Sequence, residues 1–380
     1  MTADPQSDFP LTLQLLHELL GTDPEDGVRP LLAASRRVRG VLAPLVLSLA
    51  ARDGVPMGTG SRGELDRMLR RAAHYRELVA LAGTVEGLRV MKGPSLARHY
   101  PDGLLRPPGD LDLVVPDEAA LWQAVALLGG RQAFEGAVYT ELREGAVDHR
   151  FVGLWWYGED PLLDHEAEVE VATFAFAGEP GKVPVRAALP ADQVHADLLA
   201  LAEERFQRPF TVRDSVDLAL VLTSPLAPAP GPLADVAAAH CLAPELLELC
   251  ELTAGRPGLA ETVPAALTAA LREPAEAELH RRAALPAPTG PAGGAELSGG
   301  AEERLAAGRT IHGLQLTALR DGVPRAAAHH RFDGGLISRT PVADFLMVTG
   351  ELVDPASHAR ALDELDRLGP WPAAAGTAGR

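Results

Sequence analysis

The chain has 380 residues, enough for two or three domains, and its 47% hydrophobic content with a mean hydropathy of +0.02 is that of a globular protein. Its 35 Lys and Arg against 52 Asp and Glu give a net charge of −17 and a pI near 5.1. That balance argues against a protein that coats extended nucleic acid, because phosphate binding needs a basic face.

No apolar run reaches the roughly 18 residues of a membrane span, and the start, MTADPQSDF, lacks the basic and apolar regions of a leader. Asparagine is absent, so N-glycosylation is excluded. The Ala, Arg, Gly and Pro bias resembles high-GC bacterial coding, and a cytoplasmic location is expected.

Leucines at three- and four-residue spacing over 8–21 and 28–52 predict amphipathic helices. Gly58-Thr59-Gly60-Ser61-Arg62-Gly63 satisfies GxGxxG, but no strand precedes it and no acidic ribose partner follows suitably. It reads instead as a loop ending in a capping box, Ser61 with Glu64, that opens a long helix.

The chain is organised around residues 89–116, RVMKGPSLARHYPDGLLRPPGDLDLVVP. Asp110 and Asp112 alternate with apolar residues in a run of β-formers, so on a strand both carboxylates leave one face. Hard cations such as Mg²⁺ take such oxygen ligands, and a cation relieves the repulsion between the two acids. The alternative is a strand with one wet face, its DxD half polar and its LxV half buried.

Upstream, Lys92-Gly93-Pro94-Ser95 reads as a turn into a helix with Pro in the first turn. Backbone N–H groups, the Ser95 hydroxyl and the Lys92 ammonium can there face an anion. Lys92 is one of only two lysines, the other being Lys182.

Lys92, Gly93, Leu96, Tyr100, Arg106, Asp110 and Asp112 match, in order, a compound pattern of lysine-glycine, leucine, tyrosine, arginine and paired aspartates. In this the segment resembles the uncharacterised nucleotidyltransferase family of the polymerase-β-like superfamily. The match covers fewer than thirty residues strongly. In the broader superfamily the first motif is usually Gly-Ser or Gly-Gly; here Pro94 follows the glycine, and Ser95 substitutes only with a shift of one position.

After the acids, Pro116-Asp117 caps a helix closed by Gly129 and Gly130, and the strand, helix, strand, helix order argues for a small α/β sheet. From Ala133 to Ala177 the pattern turns to strands, the last being AEVEVATFAF. Glu168 and Glu170 alternate there with Val169 and Val171.

The resemblance implies a third acid from such a strand, which in the family often reads acid, Leu, His, Trp. Glu170 takes that position, with Glu168 as the alternative after a register shift; the pair can also be only the wet face of an edge strand. The expected histidine is Ala172, and His149 and His165 are the possible replacements, though each reads as an ordinary surface or strand-end residue.

Beyond residue 190 the pattern is helical, and Arg213-Asp214-Ser215-Val216-Asp217-Leu218-Ala219 again resembles the family. Asp217 reads as a cap or a cross-helix partner. Cys241 and Cys250, nine apart and without CxxC or Cys/His spacing, read as reduced core residues. Residues 284–300 are a Pro/Gly/Ala linker, and His329-His330 reads as a solvated turn.

The expected class is α/β (α+β): a small mixed nucleotidyltransferase-type sheet flanked by helices. The expected divisions are a helical region over 1–84, the α/β domain over 85–186, a helical domain over 187–283, the linker over 284–300 and a small α+β segment over 301–380.

The resemblance implies Mg²⁺-dependent transfer of a nucleoside monophosphate from an NTP, ATP foremost, to a hydroxyl acceptor with release of pyrophosphate. Asp110, Asp112 and Glu170 would hold two Mg²⁺ ions, with Mn²⁺ as a substitute. Lys92, Gly93, Ser95 and Arg106 would bind the nucleotide phosphates. The acceptor would be a small molecule, a peptide or a protein. A catalytically weak or inactive nucleotide-binding regulator on the same scaffold is the alternative, and a structural helical adaptor a third.

Overall fold

The computed structural model describes residues 9–38, 42–158, 160, 162–164, 166–285, 300–320, 326–333, 335–350 and 353–371. Four helices come first: α1 (Leu13–Leu20), α2 (Val28–Arg37), α3 (Ala43–Arg52) and α4 (Thr59–Ala82). Strand β1 (Arg89–Met91), the one-turn α5 (Pro94–Ala97), strand β2 (Leu111–Val114) and α6 (Glu118–Arg131) follow. Three strands come next, β3 (Gly136–Glu144), β4 (Val147–Trp156) and β5 (Ala167–Ala172).

Helices α7 (Gln193–Glu203), α8 (Val212–Leu222), α9 (Pro230–Ala239), α10 (Ala243–Ala254) and α11 (Ala265–Ala284) make the second helical stretch. The last elements are α12 (Ala301–Ala306), β6 (Ile311–Gln315), β7 (Ala328–Phe332), β8 (Gly335–Arg339), β9 (Asp344–Val348) and α13 (Pro355–Leu368). The class is α+β, and the strands form one mixed sheet in the order β1-β2-β5-β4-β3-β6-β9-β8-β7.

The chain divides into two compact units. One comprises Met1–Glu77, Val90–Leu111 and Leu189–Leu285, the other Leu78–Arg89, Asp112–Ala188 and Pro286–Arg380. The first has a leucine core in which Leu16, Leu31, Leu45 and Leu49 of the leading helices pack with Val216 and Leu220 of α8. Side-chain caps start the helices where the chain must turn. Thr12 accepts from the Leu15 amide at α1, Asp192 from two amides at α7, and Thr211 and Asp214 form a capping box at α8. Gly21 closes α1 at φ +64°.

The second unit holds most of the sheet. Its registers show which residues share a face, because side chains alternate along each strand. Tyr139 pairs with Gly313, which pairs with Met347, so Phe345 lies on the Tyr139 face and Leu346 on the opposite one. Trp122 of α6 packs on Tyr139 at 6.1 Å, while Ala361 and Leu365 of α13 pack with Leu346 and Ile337. Helices α6 and α13 therefore cover opposite faces.

Three readings of the sequence change. Gly58–Gly63 is no loop: α4 begins at Thr59, and Glu64 pairs with Arg36 instead of capping with Ser61. The tail strands β6 to β9 continue the central sheet, with β6 beside β3. His329 and His330 lie in β7, not in a turn. Being adjacent they face opposite ways, His329 meeting Glu141 and His330 meeting Glu364 of α13, each at 2.8 Å. Residues 286–299 of the expected linker, and His165, fall outside the described residues.

Candidate metal and phosphate site

Leu111 and Leu113 are wholly buried on β2, which sends the alternate residues, Asp110 just before the strand and Asp112 within it, to the other side. On β5, Val169 and Val171 are buried, and Glu168 and Glu170 share the opposite face, over Trp155 and Gly153 of β4. Asp110, Asp112 and Glu170 each offer a carboxylate oxygen within 4.8 Å of the others. Glu168 is not in this group: its Oε1 lies 2.7 Å from where a Cβ on Gly153 would be, so it rests over that glycine. Three carboxylates, with no nitrogen or sulfur donor, suit a hard divalent cation.

The Lys92 turn is bent hard. Lys92 has φ +48° and Gly93 φ +54°, ψ −115°, so Pro94 can open α5 directly. A lysine in the left-handed region costs roughly 1–3 kcal/mol, strain of a kind that clusters at functional sites. Lys92 Nζ is held at 2.7 Å by Glu204, on the 3₁₀ turn after α7. The Ser95 hydroxyl donates to Asp197 Oδ2 of α7 at 2.7 Å.

Arg106 is bound on Asp217 of α8 through contacts of 2.9, 3.0 and 3.2 Å, with the Tyr100 hydroxyl on the same carboxylate at 2.7 Å. Asp217 thus neither caps α8 nor pairs across helices: its partners Tyr100 and Arg106 lie in the irregular segment between α5 and β2. His149 is buried edge-on to Phe174, 5.9 Å between ring centres. Cys250 is free and buried, and burial pushes its thiol up to about 12.

Two cavities meet at Gly93, Arg106 and Asp110. One, of about 170 Å³, is walled by Lys92, Arg106, Arg208 and Arg213 together with Glu204 and Asp214. The other, of about 210 Å³, is more apolar and is walled by Tyr75, Leu104, Leu105, Pro107, Pro108 and Arg98. Neither wall includes Ser95.

Charge and burial oppose each other at this corner. Burial would raise the Asp110 carboxyl, but Lys92, Arg213 and Arg106 together hold it below its ordinary value. Burial raises Asp197 to about 6 despite donors from Ser95 and Gln193. His99, wholly buried, is lowered to about 4 by burial and by neighbouring Arg98. Arg213 is lowered by burial and by Arg106 beside it.

Sequence reasoning gave no site role to Glu204, Asp197 or Arg208. The Glu204–Arg208 spacing of four was a visible signal, but nothing in it joined that turn to Lys92, more than a hundred residues earlier.

No family model matches the chain, and no curated protein matches it. Among solved structures, one called "putative nucleotidyltransferase from H. pylori" is matched at 13% identity over 55% of this chain and 97% of that one, with a TM-score of 0.28.

Proposed function

We propose that the chain is a metal-dependent nucleotidyltransferase that moves a nucleoside monophosphate from ATP or another NTP to a hydroxyl acceptor, releasing pyrophosphate. The observation that carries this reading is the convergence of Asp110, Asp112 and Glu170. These three would hold Mg²⁺, two ions in the full site, with Mn²⁺ as a substitute. When bound there, the metal would offset phosphate charge and make the acceptor hydroxyl more acidic.

Glu170 takes the acceptor proton as the new O–P bond forms. The bond from the α-phosphorus to pyrophosphate breaks, and Lys92 meets the charge that develops there. Gly93 lets the backbone approach the phosphates. Arg106, held on Asp217, acts through its field rather than by a direct contact. Ser95 becomes a phosphate donor only by leaving Asp197. Such transfers rely on positioning and charge more than on covalent help. The acceptor is a small molecule or a peptide or protein hydroxyl, and the reaction is cytoplasmic.

The test is pyrophosphate release with Mg²⁺ and ATP. Asp110→Asn with Asp112→Asn abolishes it if the proposal holds, and activity unchanged in that double variant removes the proposal. Ala172, where the resembled pattern has histidine, favours a second reading, a nucleotide-binding regulator. Calorimetry separates the two, because a regulator binds ATP without releasing product.

A further inference from the structure

The second cavity, of about 210 Å³, lies wholly within the first unit, walled by α4 and by the segment from the Lys92 turn to Asp110. A cavity of about 150 Å³ already holds benzene, so there is room here for one ring with a short arm. The apolar wall is Leu104, Leu105, Pro107 and Pro108 with Tyr75. Tyr75 is fixed in place: its hydroxyl donates to the Gly109 carbonyl at 2.8 Å, and Arg71 lies over its ring at 5.5 Å. Prolines and an anchored ring need little further ordering when a ligand enters.

Arg76, Arg98, Arg106 and Asp110 share that wall. Arg106 is matched by Asp217, and Asp110 sits in the field of Lys92, Arg213 and Arg106. The other two arginines are held less closely. Arg98 meets Asp197 at 3.6 Å, beyond hydrogen-bond length, on an oxygen that already accepts from Ser95 at 2.7 Å. Its Nε is buried without a hydrogen-bond partner. Arg76, on α4, is exposed and has no ion pair or hydrogen bond among the described residues.

A neutral ligand leaves those two guanidiniums as they are, whereas a carboxylate offers each a charge-assisted hydrogen bond. The carboxylate keeps away from Asp110, because like charges repel. What meets Asp110 is an uncharged polar group.

We propose that this cavity binds a small hydroxy acid, with its carboxylate on Arg76 and Arg98, its ring-sized apolar body against Tyr75 and the prolines, and its hydroxyl toward Asp110. That this acid is the acceptor rests on the function proposed above; the binding site does not. In the transfer, the hydroxyl oxygen bonds to the α-phosphorus, pyrophosphate leaves with the electron pair of the broken P–O bond, and the hydroxyl proton passes to Glu170. The carboxylate is unchanged.

The experiment is calorimetric titration of the full chain at pH 7 and fixed salt with three probes: benzoate, which has ring and charge, benzyl alcohol, which has the ring alone, and acetate, which has the charge alone. Benzoate binds at least tenfold more tightly than either of the others. Arg76→Gln and Arg98→Gln each weaken benzoate roughly tenfold, the loss of one charge-assisted contact, and leave benzyl alcohol unchanged. Damage to the fold would weaken both. Arg205→Gln, whose partner is the exposed Glu248, is the control and matches the wild type. ATP in the same magnesium-free buffer leaves benzoate affinity unchanged.

Benzoate bound no better than benzyl alcohol, either cavity variant binding benzoate as tightly as the wild type, or ATP displacing benzoate overturns the site. Charge-dependent benzoate binding, with no pyrophosphate released from Mg²⁺-ATP on adding 3-hydroxybenzoate, keeps the site and removes its role as the acceptor's. Pyrophosphate release by a wild type that does not hold benzoate keeps the reaction and removes the site.

Discussion

Asp197→Asn is expected to stabilise the protein at neutral pH and to leave it nearly unchanged in acid. Asp197 is wholly buried, and burial raises its carboxyl from 3.8 to about 6, although Ser95 at 2.7 Å and Gln193 at 3.0 Å donate to it. The folded state therefore holds a proton on Asp197 across a window, between 3.8 and about 6, in which the unfolded chain has lost it. Stability from this group is full below that window and falls as pH rises through it. Two units at about 1.4 kcal/mol each make the ionised form cost roughly 3 kcal/mol above pH 6.

Asparagine mimics the protonated acid: its oxygen faces Gln193, and its amide nitrogen can donate to the Ser95 oxygen. Urea unfolding of wild type and variant between about pH 4.5 and 8 reads the difference, which grows to roughly 3 kcal/mol at the upper end. A variant that is less stable than wild type at pH 8, or a difference flat with pH, refutes the reasoning.

Asp217→Ala strips the partner from buried Arg106 and costs about 3–5 kcal/mol in the same urea assay; a loss under 1 kcal/mol contradicts the buried pairing. Mg²⁺ raises the melting temperature of the wild type and of Glu168→Gln, but not of Glu170→Gln, because only Glu170 belongs to the cluster. His329 is raised by its hydrogen bond to Glu141, against burial, so the pair stabilises in acid and the contribution is lost as pH rises through the folded value. His329→Gln should then cost more stability at pH 6 than at pH 8.5, and equal costs would separate His329 from that carboxylate's charge.

What was legible in the chain was what repeats over short distances. The alternation of Val169 and Val171 with Glu168 and Glu170 placed both acids on one strand face, and the registers agree. Periodicity could not separate Glu168 from Glu170, because residues two apart share a face. The separation comes from Gly153, whose missing side chain leaves room for the Glu168 carboxylate. His329 and His330 misled for a related reason. A polar pair looks like a turn until both faces of its strand carry a carboxylate partner, one on β3 and one on α13.

The Lys92 turn shows where local pattern stops. Lys92 and Gly93 were conspicuous as a rare lysine before a glycine, but what holds Lys92 is a glutamate 112 positions later, and what holds Arg106 is an aspartate 111 positions later. Sequence periodicity carries no information over such separations; burial of the helices that bear Glu204 and Asp217 creates the proximity. The same burial sets the chemistry. In water these ion pairs would contribute little, whereas inside the first unit removing one partner leaves the other charge buried and unpaired. The helical stretch after β5 is therefore part of the site's electrostatics: it supplies Arg208 and Arg213 as cations, and Asp217 and Glu204 as the carboxylates that hold Arg106 and Lys92.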